Sequence, residues 1–255
     1  MPESLSTPHL HPAQIERFHT DGFVVLRSGF GAEDTRRIEA WTHEIAERPE
    51  AIGKHWVFHE QSRLDPTRRL INRIENLSPF HEGFATLAKV LAAPVGQLLG
   101  EDAVLFKEKI NFKMPGGDGF KPHQDSQAGW EAYATYFISV MVCIDEATIE
   151  NGCLKLVAGQ QRRGLFREWE PLTDEDMEGM DFVPHPTRPG DIVFFDCYAP
   201  HASEPNLTNT TRRLYFATYN RRSEGDHLAR YYADKRQSFP PDIEREAGKE
   251  YVFRV

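Results

Sequence analysis

Apolar residues follow two different spacings along this chain of 255 residues. In the first part they recur every three or four positions, which predicts helices over 12–19, 31–48 and about 80–91. A short apolar run, Phe23–Leu26, lies between the first two helices and predicts a buried strand. Beyond residue 95 the apolar runs are short, and turns rich in Gly and Pro separate them. These runs cover residues 103–112, 134–144, 153–158, 191–196 and 211–219.

Many short strands with Gly and Pro between them indicate a sandwich or barrel, and a chain of this length suits a single such domain. We expect a loose arm (1–11), helical support (12–95), a strand core (96–222) and a C-terminal helix with a tail (223–255). Residues 49–78 mix aromatic and cationic side chains and give no clear period. For this segment a lid over the barrel mouth and a solvated charged face both remain open.

Composition narrows the range of functions. The formal net charge is −9 and no run of Lys and Arg stands out, so nucleic acid is not expected as a partner. No apolar run approaches the length that spans a membrane, and the first residues lack the features of a signal peptide. The 3 Cys lie in apolar surroundings without a CxxC pair, which predicts buried free thiols. These features predict a soluble cytoplasmic protein, and they leave the oligomeric state open.

The strand-rich part carries residues that can bind a metal. His123 and Asp125 are two residues apart, so on an extended segment their side chains point the same way. His201 follows 76 residues after Asp125, and a fold that returns to the same point would complete a triad. Two imidazoles and one carboxylate on one face of a metal are typical of non-heme Fe(II) oxygenases. The His-x-Asp triplet alone is weak evidence in a chain with 11 His.

Five motifs follow one another along the strand-rich part. They are a strand and turn (109–116), the His-Gln-Asp segment (122–129), a strand-turn-strand (144–159), a further strand (188–195) and a closing segment (201–212). In this order they resemble the phytanoyl-CoA dioxygenase (PhyH) family of Fe(II)/2-oxoglutarate oxygenases, in its ectoine-hydroxylase-like bacterial branch. The resemblance implies a mostly β fold, with a double-stranded β-helix (jelly roll or cupin) core and N-terminal helices packed on one sheet.

The resemblance also implies a role for each site residue. His123, Asp125 and His201 would hold Fe(II), and 2-oxoglutarate and dioxygen would take the other positions. Arg212 would hold the far carboxylate of 2-oxoglutarate through two parallel hydrogen bonds. Arg213 competes for this role, because only one of two adjacent strand residues faces inward.

Three further residues are expected near the cosubstrate. Ser203 would make a second contact to the far carboxylate, unless it serves only the turn. Asn111 matches a family position near 2-oxoglutarate. Lys107 lies on the same strand face as Asn111 and would assist, unless it is a surface lysine.

The implied reaction uses dioxygen and 2-oxoglutarate to hydroxylate an unactivated C–H bond, with release of succinate and CO2. Candidate substrate residues come from the unassigned segment and from the loop after the metal motif; they are Lys54, Arg73, Gln127, Trp130 and Tyr133. A polar, partly cationic lining suits a small anionic or zwitterionic metabolite, such as an amino acid, an ectoine-like compound or a phosphonate. The alternative function is a non-oxidative jelly-roll metal-binding protein or a cupin isomerase.

Overall fold

A computed structural model describes residues 4–252 of the chain. The α-helices in this range are α1 (Pro12–Asp21), α2 (Ala32–Glu47), α3 (Glu82–Leu99) and α4 (Leu228–Ser238). The strands are β1 (Phe23–Leu26), β2 (Trp56–Gln61), β3 (Arg69–Glu75), β4 (Ala103–Lys113), β5 (Phe120–His123), β6 (Phe137–Cys143), β7 (Lys155–Leu156), β8 (Val183–Pro184), β9 (Ile192–Asp196), β10 (His201–Ser203) and β11 (Arg212–Arg221).

The strands form two antiparallel sheets, which together make the jelly roll that the resemblance implies. The larger sheet has seven strands in the order β1-β9-β6-β11-β4-β3-β2, and the smaller has four in the order β5-β10-β7-β8. Neighbours in these sheets are mostly distant in sequence, as jelly-roll connections require. The inner face of the larger sheet and strands β5 and β10 of the smaller sheet enclose the cavities described below.

Helices cover the outer face of the larger sheet. Helix α1 begins with Pro12, whose fixed φ suits a first helical position, and it ends at Gly22 with φ 83°, a conformation that favours glycine. Helix α3 lies on β4 and β11, where the Phe84 ring stacks on Tyr215 with a centroid distance of 5.6 Å. The outward residues of β11 therefore complete the main hydrophobic core, and its inward residues are left for the cavity.

A bulge in β4 sets which of its residues face inward. Thr218 of β11 lies opposite Lys107, but the next residue lies opposite Leu105, so Phe106 is the extra residue. From the bulge onward the side chains of Lys107, Lys109 and Asn111 line the inner cavity. The bulge thus places these three polar side chains in a row along the cavity of the candidate active site.

The N-terminal part departs from the sequence-based picture at two places. Residues 49–78, for which a lid and a charged face both remained open, contain β2 and β3, and β3 pairs with β4, so these two strands extend the edge of the larger sheet. The described residues of the expected loose arm are packed down: Leu5 and Leu10 are buried, and the Ser6 backbone N–H donates to Asp34. Residues 1–3 of that arm lie outside the described residues.

The other predicted elements are found with small changes of length. The predicted helix over about 80–91 continues to Leu99, with Pro94 inside it. Cys143, Cys153 and Cys197 are buried and free, as predicted. Among residues 4–252 no helix is long and apolar enough to cross a membrane.

Candidate active site

Strand pairing brings the three predicted metal ligands together. Strand β10 runs antiparallel to β5 with His201 directly opposite His123, and their ring centroids are 4.2 Å apart. Asp125 starts the short 3-10 helix that follows β5, and its Oδ1 is 3.9 Å from His201 Nε2. One ligand atom from each of the three residues falls within 4.8 Å of the others. This is the spacing of groups that bind one common ion.

Hydrogen bonds orient the three ligands. Nδ1 of His123 lies 2.7 Å from the Lys121 carbonyl, and Nδ1 of His201 lies 3.0 Å from the Ala199 carbonyl. With Nδ1–H donated to these carbonyls, Nε2 of each ring is free to bind a metal. The Ser139 hydroxyl donates to Asp125 Oδ2 and leaves Oδ1 on the side of the histidines.

The local electrostatics favour the forms that bind metals. Burial and the neighbouring His201 lower the pKa of His123 to about 3, and burial also lowers the pKa of His201. Burial alone would raise the pKa of Asp125, but His201 and Lys107 lower it to about 2. The site therefore presents neutral imidazoles and an ionised carboxylate, which metal ligation requires.

An inner chamber extends from the triad toward Arg212. Arg212, Ser203 and Asn111 line it together with the three ligands. Arg212 is 2% exposed, its Nε has no hydrogen-bond partner, and within residues 4–252 its guanidinium has no carboxylate partner. A buried cation without a counter-ion is costly, so this chamber is suited to an anionic ligand.

Arg213 faces the opposite side of β11 and is fully engaged. Its Nε and Nη2 each donate over 2.7 Å to the carboxylate of Asp145. Nη2 also lies 3.4 Å from Glu39 on α2. Arg213 therefore ties the sheet to the helical layer, and Arg212 is the arginine that faces the triad.

Sequence reasoning missed Lys113, which lies behind Ser203. Lys113 is directly opposite Arg212 across β4 and β11, and its Nζ donates to Ser203 Oγ over 2.8 Å. Burial and the charge of Arg212 lower the pKa of Lys113 to about 6. The signal was present in the sequence, because Lys113 follows Asn111 by two residues on the same strand face.

An outer cavity of about 700 Å³ opens on the other side of the triad. It shares His123, Asp125, Lys107, Lys109 and Phe120 with the inner chamber. Aromatic residues and the C-terminal helix form the rest of its wall, with Trp130, Tyr133, Trp169, Tyr231, Lys235 and Phe239 among them. The triad thus lies at the junction of two compartments, one of which suits a cosubstrate and the other a substrate.

The predicted substrate residues are divided between cavity and scaffold. Trp130 and Tyr133 line the outer cavity. Arg73 lies on the inner face of β3, where Nε donates to Glu75 over 2.7 Å and the guanidinium stacks on Phe58. Arg73 lines neither cavity, and the same is true of the two other predicted residues, Gln127 and Lys54.

Gln127 is buried and stabilises the turn that contains the predicted metal ligand Asp125. Its Oε1 accepts from the Gln124 backbone N–H over 2.6 Å, and its amide nitrogen donates to the Glu170 carbonyl. Lys54 is exposed, with Nζ 5.9 Å from the Phe80 ring centroid, and it does not line either cavity. Pattern alone could not separate such residues from those that line the cavity.

A His-Asp-His triad inside a jelly roll, with a buried arginine behind it, defines a mononuclear non-heme iron oxygenase site. The model of the phytanoyl-CoA dioxygenase (PhyH) family matches residues 18–214, and the chain belongs to this family. It is an Fe(II)- and 2-oxoglutarate-dependent dioxygenase whose iron is bound by the triad. Membership in this family sets aside the alternative of a non-oxidative jelly roll.

Two curated relatives cover most of the chain. A 2-aminoethylphosphonate dioxygenase from uncultured bacterium HF130_AEPn_1 is 40% identical over 242 residues, which are 93% of this chain and 92% of the relative. A methylphosphonate hydroxylase from Gimesia maris is 37% identical over 234 residues, 90% of this chain and 88% of the relative.

The fold is also that of a solved structure. The structure of EctD from S. alaskensis with 2-oxoglutarate and 5-hydroxyectoine has a TM-score of 0.73 and 24% identity. The similarity covers 87% of this chain and 80% of EctD. At this identity the likeness concerns the fold.

Proposed function

We propose that this dioxygenase hydroxylates a small phosphonate. The observation that carries the proposal is a pair of lysines beside the triad, Lys107 and Lys109, which line both cavities and form no ion pair within residues 4–252. The other two cations near them, Arg73 and Lys235, share the carboxylate of Glu75. Two of the curated relatives are named for phosphonates, which supports the same substrate class.

The cosubstrate does not supply a partner for these two lysines. Fe(II) carries two positive charges and 2-oxoglutarate two negative ones, and the far carboxylate of 2-oxoglutarate is assigned to Arg212. A phosphonate dianion supplies the missing charge, whereas a neutral substrate would leave buried charges uncompensated.

The inner chamber is assigned to 2-oxoglutarate. Arg212 is placed to hold the far carboxylate through two parallel hydrogen bonds. Because Lys113 donates to Ser203 Oγ, the hydroxyl hydrogen of Ser203 is free to donate to that same carboxylate. Asn111 lines the chamber between Arg212 and the triad and supplies an amide for the cosubstrate.

Lys107 belongs with the substrate in this proposal. Its Nζ lies 4.1 Å from the Trp130 ring centroid, in the part of the site that opens to the outer cavity. The sequence-based expectation placed it beside the cosubstrate instead. In this proposal Lys113, which follows Asn111 on the same face of β4 and donates to Ser203, takes the place beside the cosubstrate.

The chemistry divides between the bound groups and the chain. Fe(II) with 2-oxoglutarate supplies the activation of dioxygen when both are bound. The residues of the chain position the substrate, and the aromatic wall of the outer cavity excludes water from the C–H bond that is to react.

Turnover measurements test this function. The Fe(II)-loaded protein would be given 2-oxoglutarate, oxygen and one candidate, and both succinate and the hydroxylated product would be quantified, the latter by phosphorus NMR. The candidates are methylphosphonate, 2-aminoethylphosphonate, ectoine and a set of amino acids. We expect a phosphonate to stimulate succinate formation, with one product formed per succinate. Asp125→Ala serves as the inactive control.

The proposal would be contradicted if ectoine or an amino acid stimulated succinate formation and none of the phosphonates raised it above the rate without substrate.

A further inference from the structure

Lys107 and Lys109 occupy successive inward positions on β4. Their Cα atoms are about 6.6 Å apart, as for any residues i and i+2 on a strand. Opposite them on β11 lie Thr218 and Phe216. Both lysines line the inner chamber and the outer cavity, on the same side of the site as Asp125. Two ammonium groups are therefore directed at the space beside the iron.

Neither ammonium group forms an ion pair with a side chain of residues 4–252. Nζ of Lys107 lies over the Trp130 ring, and Nζ of Lys109 lies 5.4 Å and 5.6 Å from the ring centroids of Phe120 and Phe216. Within the described part of the chain, no carboxylate is within ion-pair distance of either group. Aromatic faces attract cations but do not replace an anion.

Two carboxylates, Asp125 and Glu75, have charges that favour the ammonium forms of Lys107 and Lys109, but both are already engaged. Asp125 is a ligand of the metal triad. Glu75 lies directly opposite Lys109 in the sheet. Its Oε1 accepts from Arg73 Nε over 2.7 Å, and its Oε2 accepts from Lys235 Nζ over 2.6 Å. The carboxylate thus has a cation on each oxygen, and the two lysines of β4 keep their charge available.

The unliganded pair is strained electrostatically. Burial and the nearby charge of Lys107 lower the pKa of Lys109 to about 7. Burial also lowers the pKa of Lys107. An anion that bridges the two ammonium groups would relieve both effects.

We propose that Lys107 and Lys109 form the subsite for the phosphonate group of the substrate and select it as a dianion. The inference rests on the proposed function and specifies how that substrate is recognised. A phosphonate has three oxygens in a tetrahedral arrangement, so one oxygen can accept from each lysine while the third stays free. A carboxylate or sulfonate carries one charge and neutralises one lysine only.

Charge selectivity is the property to measure. The probes are 2-aminoethylphosphonate and 2-aminoethylsulfonate, which share their carbon chain and differ in the charge of the acid group. Dissociation constants would be determined by calorimetry on the anaerobic Fe(II) and 2-oxoglutarate complex, so that no turnover is needed. The variants are Lys107→Met and Lys109→Met, which keep the apolar stem, and the conservative Lys107→Arg and Lys109→Arg.

We expect each methionine variant to weaken phosphonate binding by about 10- to 100-fold, the loss that follows removal of one charge-assisted hydrogen bond. Sulfonate binding should change less, so the preference for the phosphonate falls. The arginine variants should keep part of the preference, because they retain the charge. Lys89→Met, an exposed lysine on α3, is the matched control and should bind both probes as the wild type does.

Affinity for 2-oxoglutarate is the internal control, since Arg212 and Ser203 are untouched. If the wild type turns over phosphonates but both methionine variants bind them as tightly as it does, the subsite is overturned and the proposed function stands. Equal binding of phosphonate and sulfonate by the wild type would overturn the dianion selectivity. Absence of phosphonate binding to the wild type would overturn the subsite and the proposed function together.

Discussion

Arg212 and Arg213 are adjacent in sequence, but their guanidinium groups lie on opposite faces of β11. Arg212 lines the inner chamber beside Ser203, with its Nε unpaired. Arg213 makes two hydrogen bonds of 2.7 Å to Asp145 on the helical side of the sheet. Strand alternation therefore assigns ligand binding to one arginine and structural support to the other.

Replacing each arginine by alanine should separate these roles. Arg212→Ala should weaken 2-oxoglutarate binding by about 100-fold, because a buried charge-assisted pair is lost. Arg213→Ala should leave that affinity unchanged but destabilise the fold by about 3 kcal/mol, since it leaves the Asp145 carboxylate without its partner. Calorimetry of 2-oxoglutarate binding and denaturant unfolding would measure the two effects. The reverse ranking would contradict the observed direction of the two side chains.

The sequence predicted that only one of the two arginines faces inward, but it did not predict what the other would do. An exposed Arg213 was the natural expectation for the outer face of a strand. Helix α2 covers that face and brings Glu39 within reach, so Arg213 is buried and paired. Contacts between elements distant in sequence decide this, and local pattern does not report them.

Other parts of the site also divide into features that local sequence pattern predicts and features that depend on contacts between distant elements. Long elements with a clear period, such as β4 and α2, were predictable from sequence. Strands β5 and β10 were not, because four and three residues are too short to show alternation. The outer cavity depends on α4, whose Tyr231 and Lys235 reach the site only through tertiary packing. The triad itself was found through motif resemblance, which carries information on long-range pairing.

Lys113 should take up a proton when 2-oxoglutarate binds. Burial and Arg212 lower its pKa to about 6, so a large fraction of Lys113 is neutral at pH 7 in the unliganded protein. A carboxylate placed at Ser203 and Arg212 favours the charged form and raises that pKa. Binding at pH 7 to 8 should therefore draw protons from the buffer.

Calorimetry in two buffers with different ionisation enthalpies measures this uptake. Lys113→Met should bind 2-oxoglutarate more weakly and with less proton uptake. Lys89→Met, which changes a lysine far from the chamber, should behave as the wild type. Equal uptake in wild type and Lys113→Met would mean that another group is responsible.

Gly129 allows Trp169 to form part of the outer cavity wall. Gly129 has φ 72°, and a Cβ at this position would collide with the Trp169 ring. Trp169 itself has φ 66°, which is unusual for a tryptophan. Gly129→Ala should therefore displace the ring, raise the substrate KM and leave 2-oxoglutarate turnover without substrate intact.

Gly159→Ala is the matched control for this variant. Gly159 has a similar φ of 76°, but apart from its own chain neighbours no described residue has an atom within 4 Å of the position of an added Cβ. Both variants should lose about 1 kcal/mol of stability from backbone strain. Only Gly129→Ala should change substrate kinetics. A similar change of KM in both variants would indicate that lost stability, and not the position of Trp169, is the cause.

Glu75 should contribute stability that depends on pH. Burial alone would raise the pKa of Glu75, but Lys235 and Arg73 hold it well below its ordinary value of 4.5. For a carboxyl group with a depressed pKa, the stabilisation is present above the ordinary pKa and is lost as pH falls toward the native value. Wild-type protein should therefore lose this contribution below about pH 4.5.

Denaturant unfolding of Glu75→Gln at several pH values tests the expectation. At pH 7 the variant should be less stable than the wild type by about 3 kcal/mol, because Arg73 and Lys235 lose their buried partner. The difference should narrow as pH falls from about 5 toward the native pKa, because Glu75 takes up a proton in the unfolded wild-type chain while it stays ionised in the folded protein. Glu33→Gln removes an exposed partner of Arg37 and should cost less than about 1 kcal/mol at pH 7. A difference for Glu75→Gln that stayed constant across this range would mean that the carboxylate charge is not what stabilises the cluster, and that shape and hydrogen bonding are enough.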